Sequence, residues 1–289
     1  MKLKKIRGAI LKFLPDSIFI RLKFYRYMGE FPNLRHPKTF SEKLQWLKLH
    51  DRKPEYTTMV DKYEAKKYVA GIIGEEYIIP TYGVWDNFED IDFDMLPNEF
   101  VLKCTHDNGS VIICQDKSQF DIEAAREKIT TCLNRNLFWI CREWPYKNVK
   151  PRIIAEKYLK DGTGIGARDY KVLCFGGKPK LIEVHGGRIE NVHRQDFYDI
   201  DWKLTPISQY DMPTSGIQAE KPPLFDRMME LSEILAENFI HIRVDWYIVD
   251  GKLYSGELTF FDGSGWCKFE KEEYDLLLGS WIKLPTDGI

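Results

Sequence analysis

Residues 240–261 read IHIRVDWYIVDGKLYSGELTFF, and the way this stretch pairs with itself decides the fold. Ile240 to Val249 and Leu253 to Phe261 are rich in β-branched and aromatic types and flank Asp250-Gly251, so they read as two strands of one hairpin. Side chains alternate between the faces of a strand. Arg243 and Asp245 therefore share one face, while Ile242, Val244 and Trp246 take the other. Glu257 and Thr259 share a face on the partner strand. A two-residue Asp-Gly turn would set Asp245 and Glu257 on opposite faces. A three-residue loop, Val249-Asp250-Gly251 with Gly251 left-handed, sets them on the same face, and this is the register expected here. It gathers two carboxylates, a hydroxyl and a guanidinium. Mg²⁺ takes hard oxygen ligands and shares them with substrate phosphates. An arginine beside them can neutralise a phosphoryl group in transfer. For the hairpin alone, a solvated face with a cross-strand salt bridge is the simpler account.

The rest of the composition bounds what this hairpin can belong to. At 289 residues, with 44% hydrophobic and 30% charged residues, the chain suits a soluble globular protein of one large or two modest domains. A net charge of −2 gives no basis for a nucleic-acid partner. Cys104, Cys114, Cys132, Cys141, Cys174 and Cys267 contain no C-x₂-C pair, so they read as reduced thiols in a cytoplasmic protein. No apolar run has the length of a membrane span. Residues 1–28 depart from this average. They carry Lys2, Lys4, Lys5, Arg7, Lys12, Arg21, Lys23 and Arg26 against one acid, Asp16, with apolar residues between. Lys12, Pro15 and Asp16 interrupt any signal-peptide pattern. A basic amphipathic segment resting on an anionic membrane surface and a helical extension packed on the body explain it equally well.

Along the chain, Thr39-Phe40-Ser41-Glu42 reads as a helix start, continued over Ser41 to Leu49. Further helices are expected over 61–73, 122–134 and 224–239. Strands are expected over 78–85, 100–104, 111–114, 153–159, 170–175 and 180–185. Links as short as Gly176-Gly177-Lys178 make antiparallel pairs, so an α+β architecture is expected rather than a doubly wound parallel sheet.

Two more constellations carry chemistry. Lys103 lies on a strand that runs into a polar loop, His106 to Ser110, and a strand lysine beside flexible backbone N–H groups can cradle phosphate. It is not a Walker A loop. An ordinary Asn-Gly turn explains it as well. Ala155-Glu156-Lys157-Tyr158-Leu159, with Asp169 beyond it, can offer backbone to an adenine edge and an acid to ribose. A charged strand edge is the plainer reading.

Taken in order, a strand lysine, a flexible loop, a hinge strand, an acid, then Arg-x-Asp and Glu-x-Thr, the chain resembles the ATP-grasp superfamily. Within it, the chain resembles the TupA-like ATP-grasp family associated with teichuronopeptide and bacterial surface-polysaccharide synthesis. The family-like stretches are Thr39 to Trp46, Asp61-Lys62-Tyr63, Leu102-Lys103-Cys104 with Asn108-Gly109-Ser110, Asp169-Tyr170-Lys171 and Phe197-Tyr198-Asp199. The resemblance covers roughly Thr39 to Asp262.

The resemblance implies two α+β subdomains clamping Mg-ATP. It implies a basic extension over 1–38 and a catalytic domain over 39–289, the latter divided into 39–100, 101–155 and 156–289. Lys103 would contact the α/β phosphates, and Asn108, Gly109 and Ser110 would close over them. Glu156, Lys157, Tyr158 and Leu159 would line the adenine hinge, and Asp169 would take the ribose hydroxyls. Asp245, Glu257 and Thr259 would hold Mg²⁺, with Thr259 standing where the family usually has Asn. Arg243 would stabilise the γ-phosphoryl group, with Lys171 in the catalytic set and Arg188 as a carboxylate clamp. The implied reaction joins a uronate of a glycan or glycan precursor to the amine of an amino acid or peptide, in the cytoplasm and peripheral to the membrane.

Two alternatives stand beside it. One is a glycosyltransferase using Asp90-Ile91-Asp92, Asp92-Phe93-Asp94 or Asp199-Ile200-Asp201 on a metal-bound nucleotide sugar. The other is an ATP-grasp kinase with a hydroxyl acceptor.

Overall fold

The computed structural model describes residues 13–160, 167–186 and 194–285. Helix α1 (Asp16–Met28) leads into α2 (Phe40–His50), then α3 (Tyr56–Val60) and α4 (Glu64–Ile73). Strands β1 (Thr81–Trp85), β2 (Phe100–Cys104), β3 (Ile112–Cys114) and β4 (Ile153–Glu156) form one sheet, with α5 (Ile122–Leu133) and α6 (Leu137–Cys141) between the last two. Strands β5 (Asp169–Phe175), β6 (Lys178–Gly186), β7 (Arg194–Tyr198), β8 (His241–Val249) and β9 (Lys252–Thr259) form a second sheet, with α7 (Phe225–Ala236) before the last two and α8 (Glu272–Trp281) after them. The sheet orders are β1-β4-β2-β3 and β7-β6-β5-β8-β9. Every pairing within both sheets is antiparallel, as the short turns require.

Local chemistry sets the boundaries. Thr39 closes a capping box on α2: its hydroxyl accepts from Glu42 N at 3.1 Å, and Glu42 accepts from Thr39 N at 3.3 Å. The helix expected over 61–73 starts three residues late, at Glu64, after a turn over 61–63 that follows α3. Asp61 braces that turn. Its carboxylate accepts from Tyr63 N at 2.9 Å and from Arg152 at 2.7 Å. The hinge strand expected over 153–159 ends at Glu156, because Lys157 N turns away to Pro80 O at 2.9 Å.

The hairpin corrects the expected register. Its loop has two residues, not three: Val249 pairs with Lys252 across Asp250 (φ 52°) and Gly251 (φ 69°), both left-handed as a type I′ turn demands. That turn alone would put Glu257 on the apolar face. A bulge at Gly256 undoes this, so Trp246 pairs with Ser255 while Asp245 pairs with Glu257. The two carboxylates meet, but by a route other than the loop. A Cβ on Gly256 would lie 2.8 Å from the Tyr247 ring and 3.3 Å from Asp245 O, which is why glycine stands there.

Each sheet has its own core. The apolar face of the larger one presents Val172, Ile182, Ile242, Val244 and Trp246 to α7, where Trp246 Nε1 donates to Ser232 Oγ at 2.8 Å. The smaller sheet packs Phe100, Leu102, Cys104 and Ile153 against Ala125, Ile129 and Cys132 of α5. A small cluster of Ile79, Leu159, Val249 and Tyr254 sits where the two sheets meet. Helix α1 buries Phe19, Ile20 and Phe24 on the body, and its Asp16 pairs with Arg52 at 2.7 Å and Arg142 at 2.9 Å.

Candidate active site

The polar face of the larger sheet carries one row of charge. Across β6, β5, β8 and β9, Glu183 lies opposite Lys171, Lys171 opposite Asp245, and Asp245 opposite Glu257. Two residues along, Arg243 faces Thr259. Strand alternation alone brings these side chains to one side. Asp245 is the hub. Arg243 grips it bidentately, Nε to Oδ1 at 2.7 Å and Nη2 to Oδ2 at 2.8 Å, and Lys171 Nζ reaches Oδ2 at 2.9 Å. Arg243 also meets Asp262, Glu257 Oε1 at 3.4 Å and Thr259 Oγ1 at 3.3 Å. Thr259 donates to Glu257 Oε1 at 3.0 Å.

The charges tune one another. Burial raises the Asp245 pKa, but Arg243 and Lys171 outweigh it and hold the carboxyl below its ordinary value. Burial likewise works against Arg243, and Asp245 and Asp262 reverse it and keep the guanidinium well above its usual range. Glu257 stays below the ordinary range because Lys62 overcomes its burial. Asp169 and Asp262 go the other way, raised by burial and crowded by neighbouring carboxylates. On this face Asp169, Glu183, Asp245, Glu257 and Asp262 stand against Arg243, Lys171 and Lys62, two more acids than these three cations. Hard oxygen donors with that surplus fit a divalent cation. Asp245, Glu257 and Thr259, the oxygens expected to hold it, lie together on this face, with both Asp245 oxygens engaged by Arg243 and Lys171. Among the described residues no three acid, imidazole or thiol ligands converge, and two carboxylates with phosphate and water are what Mg²⁺ ordinarily takes.

A second group of cations stands where the sheets meet. Lys62 Nζ donates to Asp107 O at 2.6 Å and lies 3.8 Å from Glu257 Oε2, so one side chain touches both the β2–β3 loop and the hairpin. Lys103 reaches Glu156 at 2.5 Å, and Lys66 reaches the same carboxylate at 2.6 Å. These two lysines hold Glu156 below the ordinary carboxyl range despite its burial. Lys62, Lys66 and Glu257 line a cleft with Ile78, Tyr146 and Gly256.

The remaining residues singled out in the sequence fall as follows. Asn108 and Gly109 form an exposed loop tip, Gly109 left-handed at φ 84°. Ser110 is buried at the base, accepting from Cys104 N at 2.9 Å and donating to Asp107 at 2.5 Å, so it shapes the loop rather than facing outward. Lys157 is exposed; Tyr158 and Leu159 are buried, and Tyr158 Oη accepts from Gln115 at 3.2 Å. Asp169 sits beside Lys171 on the charged face, not apart from it. Arg188 lies outside the described residues. Asp92 and Asp199, two of the five acids of the Asp-x-Asp triplets, cap local turns: Asp92 accepts from Asp94 N at 3.0 Å, and Asp199 from Asp201 N and Lys203 N, each at 2.9 Å.

Sequence reasoning left four residues of this face without a role. Glu183 is buried, paired with His185, and its Oε2 has no partner among the described residues. Its signal was strand alternation in Lys180 to His185, which places it level with Lys171. His185 lies on β6 against Glu183. Asp262 follows the hairpin directly, and no local pattern marks it. Lys62 lay inside a quoted stretch, and only the tertiary fold sends it to Glu257.

A family model described as TupA-like ATPgrasp matches residues 42–283. No curated protein matches the chain. Among solved structures, it is similar to a D-alanine–D-alanine ligase from Bacillus anthracis complexed with ATP, at 20% identity over 70% of this chain and 55% of that one (TM-score 0.41). A D-alanine–D-alanine ligase from Helicobacter pylori matches at 13% identity over 84% of this chain and 69% of that one (TM-score 0.43). An L-amino acid ligase from Bacillus licheniformis matches at 13% identity over 88% and 55% (TM-score 0.43). The chain spans a little over half the length of the first of these, 55%.

Proposed function

The chain belongs to the TupA-like ATP-grasp family, and on that premise we propose that it is an ATP-dependent carboxylate–amine ligase. The observation that carries this reading is the paired face of cations and acids: Arg243, Lys171, Asp245, Glu257 and Thr259 on one sheet, with Lys62 reaching from them to the loop beyond Lys103. ATP would lie between the sheets, its adenine at 156–159 and its phosphates among Lys103, Lys62 and the tip at Asn108-Gly109. Asp245, Glu257 and Thr259 would hold Mg²⁺, which when bound neutralises phosphate charge. Asp169 remains the candidate for the ribose. Its place next to Lys171 equally suits a part in holding that lysine.

In the reaction a substrate carboxylate oxygen attacks the γ-phosphorus, and the bond from that phosphorus to the bridging oxygen of ADP breaks. The acyl phosphate formed is attacked by an amine nitrogen, which loses a proton as inorganic phosphate departs. Phosphoryl transfer asks the protein for positioning and charge rather than covalent help. Arg243 and Lys171 supply that charge by exchanging Asp245 for the transferring group, and Arg188 is proposed to hold the acceptor carboxylate. The acceptor proposed is a uronate of a surface glycan or its precursor, and the donor an amino acid or peptide.

The test is ADP release from Mg-ATP with uronic-acid oligosaccharides and a panel of amino acids, with products read by mass spectrometry. Release that needs both, with an amide product and a hydroxamate when hydroxylamine replaces the amine, supports the reading. A phosphorylated hydroxyl would make it a kinase. Turnover of a nucleotide sugar without ATP would overturn the ligase and bring back the glycosyltransferase.

A further inference from the structure

Helix α1 is apolar on two sides. One side, Phe19, Ile20 and Phe24, is buried on the body. The other is bare: Ile18 is 45% exposed, Leu22 49% and Tyr25 51%. Spacings of four and three residues put these three on one stripe. Past the left-handed Gly29 that ends the helix, Phe31 (59% exposed) stacks on Tyr25 with ring centroids 4.7 Å apart, so the stripe gains a fourth large side chain. At 3.6 residues per turn, Arg21 falls about 60° to one side of Ile18 and Arg26 about 80° to the other. Both arginines are exposed. Arg21 also lines a surface depression with Arg35, His50 and Arg52, in which Asp16 is the one acid. The sequence running into the helix adds Lys2, Lys4, Lys5, Arg7 and Lys12 and no acid. The stripe and Arg21, Arg26 and Arg35 lie ahead of the residues matched by the family model.

We propose that this face of α1 docks on an anionic membrane surface, with Ile18, Leu22, Tyr25 and Phe31 entering the interface and Arg21, Arg26 and Arg35 meeting lipid phosphates. Charge complementarity selects the occupant. A second copy of the chain would bring the same arginines against themselves, whereas an anionic bilayer presents hydrocarbon beneath negative headgroups. A single stripe of this size gives reversible binding, since no described helix is long and apolar enough to cross a membrane. The proposal stands independently of the reaction catalysed.

The experiment is co-sedimentation of the full chain with vesicles of phosphatidylcholine alone and of phosphatidylcholine with phosphatidylglycerol. Three proteins are compared: the wild type, Ile18→Ser/Leu22→Ser/Tyr25→Ser, and Arg26→Glu/Arg35→Glu. All changed side chains are exposed, so unchanged melting of the variants is the control for folding. The wild type is expected to bind only the anionic vesicles, each variant to lose about tenfold or more in affinity, and added salt to weaken all three. A Leu22→Trp variant should shift its fluorescence to the blue on those vesicles. No wild-type binding would overturn the proposal. So would binding that the apolar variant retains, which would leave only a basic tether, or a dimer that the apolar variant abolishes while vesicles are ignored.

Discussion

Replacing Gly256 by alanine tests whether one bulge residue holds the two hairpin carboxylates together. The added Cβ would stand 2.8 Å from Tyr247 Cε2, against roughly 3.5–4.0 Å for relaxed carbon contacts, so the ring or the strand must move by about an ångström. The Asp245 carbonyl, 3.3 Å away, limits how far the backbone can yield. Tyr247 lies opposite Tyr254 and packs against the Ile79–Leu159 cluster, so its movement is resisted. Overpacking of this kind costs about 1–3 kcal/mol. Urea unfolding should show the midpoint falling by that amount divided by the slope, with the slope itself unchanged. The more telling readout is thermal stabilisation by ATP with and without Mg²⁺. If Asp245 and Glu257 are splayed, the Mg²⁺-dependent part should shrink more than the metal-independent part. A Gly256→Ala protein within about 0.5 kcal/mol of wild type, with its Mg²⁺ dependence intact, would refute the claim that the bulge sets the pairing.

Four further outcomes are expected. Lys103→Ala and Glu257→Gln should each abolish Mg-ATP turnover with melting little changed, since Glu156 keeps Lys66 and Arg243 keeps Asp245; near-normal turnover in either would count against the site. The acid limb of stability should depend on His241, whose pKa burial lowers to about 3 between the rings of Phe40 and Phe175. The unfolded chain protonates near 6.5 and the folded one does not, so stability is complete above pH 6.5 and lost as pH falls towards 3, by up to about 5 kcal/mol; His241→Asn should flatten that slope. Asp275 has the opposite sign. Burial raises it to about 6, so its contribution is lost as pH rises from about 4 to 6, and Asp275→Asn should stabilise at pH 7.5 but not at pH 4, read from urea midpoints. Removing residues 1–28 should lower melting sharply, because Phe19, Ile20, Phe24 and the Asp16 partner of buried Arg142 go with it.

Much of the fold was legible because its elements obey simple periods. The strands around Arg243 and Lys103 alternate, α2 begins at a capping box, and short glycine turns force antiparallel pairing. The hairpin register was not legible in detail. A type I′ turn followed by a bulge gives the same facing residues as a three-residue loop, and only the packing of Tyr247 over Gly256 distinguishes them. Long-range placements were hidden for a similar reason. Nothing local to Asp61-Lys62-Tyr63 says that the turn spans two sheets, and nothing local to Glu183 says that a lysine stands opposite. Ser110 looked like a loop ligand and is an internal strut, a distinction made by burial rather than by residue type.

The junction between the sheets has one more consequence. The two cores are separate, and among the described residues the small Ile79–Leu159–Val249–Tyr254 cluster is joined at the junction by ionic and polar contacts: Lys62 to Asp107 and Glu257, Lys66 to Glu156, and Arg152 to Asp61. Parting the sheets about that apolar pin would hydrate charges and uncover little hydrocarbon. Such an opening carries a small heat-capacity change, so its free energy should follow temperature without the curvature of global unfolding. It should also follow ionic strength, because screening weakens the contacts that close it. The groove would then be tuned by the salt around it.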